Sequence, residues 1–147
     1  MSKKKRRDIP LFDTPIVETH CHLDYLEADE LAEVLERSRA VGIERIITIA
    51  VSPDNLAIVR DLADSNDDVW ATQGIHPHEA ESFSDDVAAA IREGAGYSRI
   101  VAIGEIGLDY YYDHADRSVQ RRVFEQQLAI AEELDLPVVI HTREADE

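Results

Sequence analysis

Two histidines one residue apart, His20 and His22, close a short β-prone run, Ile16-Val17-Glu18-Thr19-His20. On extended backbone, residues two apart project to the same side. The two imidazoles can therefore share one divalent ion, with Thr19 and Cys21 turned away into packing. The bland alternative is a polar strand end facing water. Three more groups of this kind follow: His76-Pro77-His78, Glu105 with Asp109 close behind, and His141 with Arg143. Glu105 follows an apolar run within Ala102-Ile103-Gly104-Glu105-Ile106-Gly107-Leu108-Asp109. Its flanking glycines allow a tight backbone and close approach of a ligand. One carboxylate can bridge two metal ions about 3.5–4 Å apart. A phosphate-binding glycine loop is excluded, because the three-glycine spacing is missing and Glu105 would repel an anion unless a metal intervened.

His141 ends a strand of Val138, Val139 and Ile140. A lone histidine there is more often structural, but its alignment with the other groups makes it a metal-ligand candidate. His76 and His78 could ligate metal or contact a scissile phosphate as donor or acid. Substrate contact is favoured, since a two-metal site already has His20, His22, Glu105 and His141. That makes Glu105 and His78 the catalytic candidates. Arg143 can contact phosphate or carboxylate, or pair with Glu144 or Asp146. Cys21 reads as a small buried apolar residue rather than a nucleophile. His114 reads as surface, with no role.

The elements that must position these residues alternate. Strands are expected at 16–20, 45–51, 69–75, 99–103 and 137–141. Helices are expected from Asp29 to Val41, from Ser52-Pro53 to about Ala63, from Ser84-Asp85-Asp86 to the glycines at 94 and 96, and from about Asp116 to Leu134. The last should bury Val123, Leu128, Ile130, Ala131 and Leu134. Five strands and four helices in alternation mean a parallel α/β fold. An open doubly wound sheet would be complete at this size, whereas a (β/α)8 barrel would be about half present. Polar residues ending four strands would share one face in a barrel and spread along an edge in an open sheet. The convergence favours the barrel.

At 147 residues with 44% hydrophobic and 31% charged residues, the chain reads as one globular domain, 16–147, behind a basic tail, 1–15. No apolar run is long enough to span a bilayer, and the N-terminus lacks a secretion signal's apolar stretch. With one cysteine, a reducing cytoplasm is the expected location. The net charge of −16 leans away from nucleic acid, although bound metals would supply local positive charge. Lys3-Lys4-Lys5-Arg6-Arg7 could touch phosphate, but such short runs are usually just solvated.

With its motifs placed, the chain resembles the TatD family of metal-dependent hydrolases, the TatD-type deoxyribonucleases. The resemblance rests on Glu18-Thr19-His20-Cys21-His22-Leu23-Asp24, Gly74-Ile75-His76-Pro77-His78, Ala102-Ile103-Gly104-Glu105-Ile106-Gly107-Leu108-Asp109 and Leu136-Pro137-Val138-Val139-Ile140-His141. Glu18 departs from the aspartate usual at that position. The resemblance implies a (β/α)8 TIM barrel of amidohydrolase type, of which this chain carries about the first five units. It implies two divalent ions (Mg, Mn or Zn), one on His20 and His22, Glu105 shared, and the other on His141. Further ligands, a histidine after strand six and an aspartate after strand eight, fall beyond residue 147. The expected reaction is metal-activated attack of water on a phosphodiester of DNA. Hydrolysis of small esters, lactones or amides is the alternative. A third expectation is that the chain is a fragment or half of a two-chain assembly, weakly folded and inactive alone, because half a barrel leaves open sheet edges.

Overall fold

The computed structural model describes residues 7–146. Five parallel strands form one sheet: β1 (Ile16–Cys21), β2 (Ile43–Thr48), β3 (Val69–Gln73), β4 (Ile100–Asp109) and β5 (Val138–Arg143). Helices α1 (Ala28–Ala40), α2 (Leu56–Ser65), α3 (Asp85–Ala95) and α4 (Arg117–Leu134) connect them. The spatial order is β1-β2-β3-β4-β5, the same as the order along the chain. A doubly wound sheet reverses its order at a switch point; this one does not. Sequential winding is that of a barrel, and the chain builds five of its units. No helix among the described residues is long and apolar enough to cross a membrane.

Local chemistry explains where the helices begin. Glu27 and Glu30 form a reciprocal capping box ahead of α1. Ser52 and Asn55 form another, opening a short 3-10 turn, Pro53–Asn55, that leads into α2. The Ser84 hydroxyl accepts the Val87 amide at α3, and the Asp116 carboxylate accepts the Ser118 amide at α4. No glycine follows α4. Asp135 takes the left-handed conformation instead, with φ 54°, which a short polar side chain tolerates.

One apolar cluster joins Ile46, Val69 and Ile103 of the strands to Leu35, Val59, Ile91 and Ile130, one residue from each helix. Two expectations about packing fail. Thr19 is exposed rather than packed, because β1 is an edge strand and Val17, on the same face, is also exposed. Leu128 is 37% exposed, while Gln120 and Gln127 occupy the buried face of α4. The strand edges are open among the described residues, and Ile140 of β5 is 51% exposed.

Strand β4 is longer than the sequence suggests, running through Glu105 to Asp109. Its register against β5 shifts between Gly104 and Ile106, then continues through Gly107↔His141 to Asp109↔Arg143. Gly107 makes that continuation possible. Its φ is +143°, and a Cβ there would collide with the His141 carbonyl. Gly74 works by proximity, since a Cβ would stand 2.8 Å from the Gly104 backbone. That close approach lets the Glu105 amide reach the Ala50 carbonyl at 2.9 Å.

Ile103 is fully buried where β4 meets the helices. Replacing it with alanine is expected to cost about 2–5 kcal/mol, read as a lower urea midpoint by circular dichroism.

Candidate metal and hydrolase site

The carboxyl ends of the strands converge on a cavity of about 350 Å³. Five of the chain's six histidines line it, together with Glu105, Asp109 and Arg143. Backbone bonds fix their supports. The Ile49 amide donates to Cys21, His76 to Val51, and Glu105 to Ala50. The Thr72 hydroxyl accepts from the Ala50 amide and donates to the Gly104 carbonyl at 2.6 Å. These bonds tie the ends of β1 to β4 to one another.

Two groups share the cavity. In the first, the ligand atoms of His20, His22 and Glu105 lie within 4.8 Å of one another. His20 Nε2 stands 3.4 Å from Glu105 Oε2. Glu18 steadies this strand end by accepting the His20 amide at 3.0 Å. His22 Nδ1 is buried without a hydrogen-bond partner. An orphaned lone pair or N–H in such a place is costly. Two imidazoles and a carboxylate at this spacing are a donor set suited to a divalent cation. The residues fit the ion that the sequence pattern implies.

The second group is centred on Asp109, which is fully buried. Its Oδ2 lies 2.9 Å from both His78 Nε2 and His141 Nε2. Its Oδ1 accepts the Tyr111 and Tyr112 amides at 3.2 and 3.1 Å. Burial alone would raise this carboxyl. The bonds from His141, the Tyr112 amide and His78 more than offset it and hold the group well below the usual carboxylate range. With His141 Nε2 engaged, Nδ1 faces Glu105 Oε1 at 3.2 Å. This is the carboxylate–histidine arrangement that fixes the tautomer and aim of a metal-ligating imidazole.

His76 differs. Its Nδ1 accepts the His78 amide at 3.0 Å, and its Nε2 stands 3.9 Å from Glu105 Oε1. Burial, then the neighbouring His78 and His141, push its pKa down to about 3. A neutral ring with Nδ1 accepting carries its proton on Nε2, so it offers the cavity a donor. His76, His78 and His141 also form a second group with ligand atoms within 4.8 Å.

Among the described residues, Arg143 lies 5.2 Å over the Tyr112 ring rather than against Glu144 or Asp146. His114 is exposed, as expected, yet its ring is 4.6 Å from that of His78 and stacks on Tyr112. Cys21 packs against the core, and its thiol is pushed up to about 12, by burial first and then by Glu18 and Asp24. That thiol is inert at neutral pH. The basic run 3–7 lies, except for Arg7, outside the described residues. Sequence reasoning missed Asp109, which it noted only as lying behind Glu105. The available signal was its spacing, four residues beyond Glu105, had the strand been extended.

Two outcomes follow. Replacing Asp109 with asparagine removes the anion that aims His141, and Mn²⁺ affinity by calorimetry should fall about 10–100-fold. Stability should also depend on acid. The folded value of His76 lies below the ordinary 6.5, so the unfolded chain takes up that proton first. This contribution is full above about pH 6.5 and drains as pH falls toward 3. Asp109, with its folded value depressed, adds a loss at lower pH still. The urea midpoint should fall across that window, and the upper part of the fall should flatten in His76→Asn.

Residues 17–147 match the family model described as TatD related DNase. The chain is 35% identical over 133 residues to the uncharacterized metal-dependent hydrolase YabD of Bacillus subtilis, covering 90% of this chain and 52% of that protein. It is 39% identical over 116 residues to the 3'-5' ssDNA/RNA exonuclease TatD of a Rahnella species, covering 78% and 44%. The crystal structure of YJJV, a TatD homolog from Escherichia coli, superposes with a TM-score of 0.80 at 33% identity, covering 87% of this chain and 51% of that one. The chain thus spans about half the length of the curated relatives it matches. The metal-ready histidines, the buried acids and the sequential half-barrel agree with these matches: the chain belongs to the TatD-related DNase family.

Proposed function

We propose that this chain supplies the first half of a divalent-metal-dependent phosphodiesterase acting on DNA. The observation that carries the reading is the convergence of five histidines and two buried acids on one cavity at the strand ends. His20 and His22 would hold one ion, His141 a second, and Glu105 would be shared, its two oxygens facing His20 and His141 respectively. Divalent ions such as Mg²⁺, Mn²⁺ or Zn²⁺ would supply Lewis-acid polarisation of a phosphoryl oxygen and lower the pKa of an attacking water.

The chain's own residues do the rest. His76 presents its Nε2–H to a phosphate oxygen. His78, with Nε2 tied to Asp109, has Nδ1 left to assist at the same phosphate. Arg143, seated over Tyr112, offers a planar guanidinium for a phosphate oxygen pair. Glu105 fixes the place from which water reaches phosphorus. The relative named as a ssDNA/RNA exonuclease supports a nucleic-acid substrate. The net charge of −16 favours a second reading, hydrolysis of small esters, lactones or amides.

The test is cleavage of end-labelled single-stranded DNA by this chain, alone and joined to the second half of a relative, with Mg²⁺ or Mn²⁺. Small esters and cyclic amides are assayed in parallel. Glu105→Ala and His20→Ala are each expected to reduce DNA cleavage about 100-fold or more, at or beyond the upper end of what groups behind the ligands give. Undiminished cleavage in both variants would sink the assignment. Turnover of the small substrates without DNA cleavage would select the second reading.

A further inference from the structure

We infer that Gln120 and Gln127 of α4 are positioning residues for the site, acting together in place of a missing length of strand. They are seven residues apart, two helical turns, and so share a face of the helix. Each is only 1% exposed. Glutamine is seldom buried without a full set of partners, and here the partners are backbone groups of the site.

Gln127 Oε1 accepts the Ile75 amide at 2.7 Å, and its Nε2 donates to the Ile75 carbonyl at 3.1 Å. Gln120 Oε1 accepts the Asp109 amide at 2.8 Å. Its Nε2 donates to the Asp109 carbonyl at 3.1 Å and to the Ala115 carbonyl at 2.9 Å. Each side-chain amide reproduces the donor–acceptor pair that a neighbouring strand would offer. The need arises because β3 and β4 part early. Their last paired residues are Gln73 and Ile103, yet β4 continues to Asp109 and the chain after β3 runs on through Ile75. Some groups along the gap are met from β2 and β3, as the Glu105 amide is by Ala50 and the Gly104 carbonyl by Thr72. The Ile75 and Asp109 amides and carbonyls are the ones the helix pairs, and buried groups of this kind must be paired.

Their position gives the pair its meaning. Ile75 directly precedes His76, and Asp109 carries the carboxylate that holds His78 and His141. One rigid helix therefore sets the spacing between the His76–His78 turn and the acid that receives His78. The consequence for hydrolysis rests on the reading above, but the positioning itself rests on these bonds alone.

The imidazole ¹⁵N spectra of the 147-residue chain test it, recorded without metal or substrate and therefore independent of any hydrolytic activity. Gln127→Leu is expected to move the His76 and His78 signals, with loss of the single Nε2–H form of His76. Gln120→Leu is expected to move those of His78 and His141. Both should leave His20 and His22, on the far side of the cavity, in place. Ile130→Val, a buried change on the same helix, should move none of them. Should the leucine variants fail to fold, Gln120→Glu and Gln127→Glu keep an oxygen for each amide and should show the same pattern at smaller size. Unchanged imidazole signals would overturn the inference, as would shifts spread equally over His20 and His22, or the same pattern from Ile130→Val.

Discussion

A single buried carboxylate organises one side of this molecule. Asp109 divides its capacity, giving one oxygen to two imidazoles and the other to two backbone amides. An acid with no exposed surface persists as an anion only when its acceptor sites are filled in this way. Much else follows from placing it there. Strand β4 must run to residue 109, so Gly107 must lie close against the His141 carbonyl. The loop beyond must turn its amides back, which seats Tyr112 beside His78, His114 and Arg143. The rim of the cavity is thus an outgrowth of the requirement to satisfy one anion.

The global charge and the local chemistry are separate matters. The chain carries a net charge of −16, yet every one of its six histidines lies in or against a single cavity. Acidic residues elsewhere are spread over solvated helix faces, for example Glu33 beside Arg37 and Glu133 beside Arg92. Such exposed pairs contribute little to stability and screen readily in salt. The cavity at the strand ends is lined by imidazoles, Arg143 and two buried acids, so its local chemistry is set by these groups rather than by the solvated helix faces.

The strand–helix rhythm was legible in the sequence because apolar runs and caps are local signals. Ser52-Pro53, Ser84 and Asp116 start helical segments as their chemistry requires. The five histidines stood out too, since each lies at or just beyond the end of a β-prone run. What could not be read was the extent of β4, because glycines at 104 and 107 look like loop when the partner strand is unknown. Asp109 was lost with that boundary. Gln120 and Gln127 were hidden for another reason. A polar residue on an amphipathic helix is read as outward-facing, and only the gap between β3 and β4 turns these two inward. Leu128 was misplaced by the same inversion.

The His-Pro-His turn carries one further consequence. Proline has no N–H, so the first amide within reach of the His76 ring is that of His78, and the ring takes it. The imidazole is therefore a locked rotor. Spinning it toward a ligand would strip the His78 amide of its partner, and moving His78 would release the ring. The two side chains behave as meshed gears: turning one displaces the other.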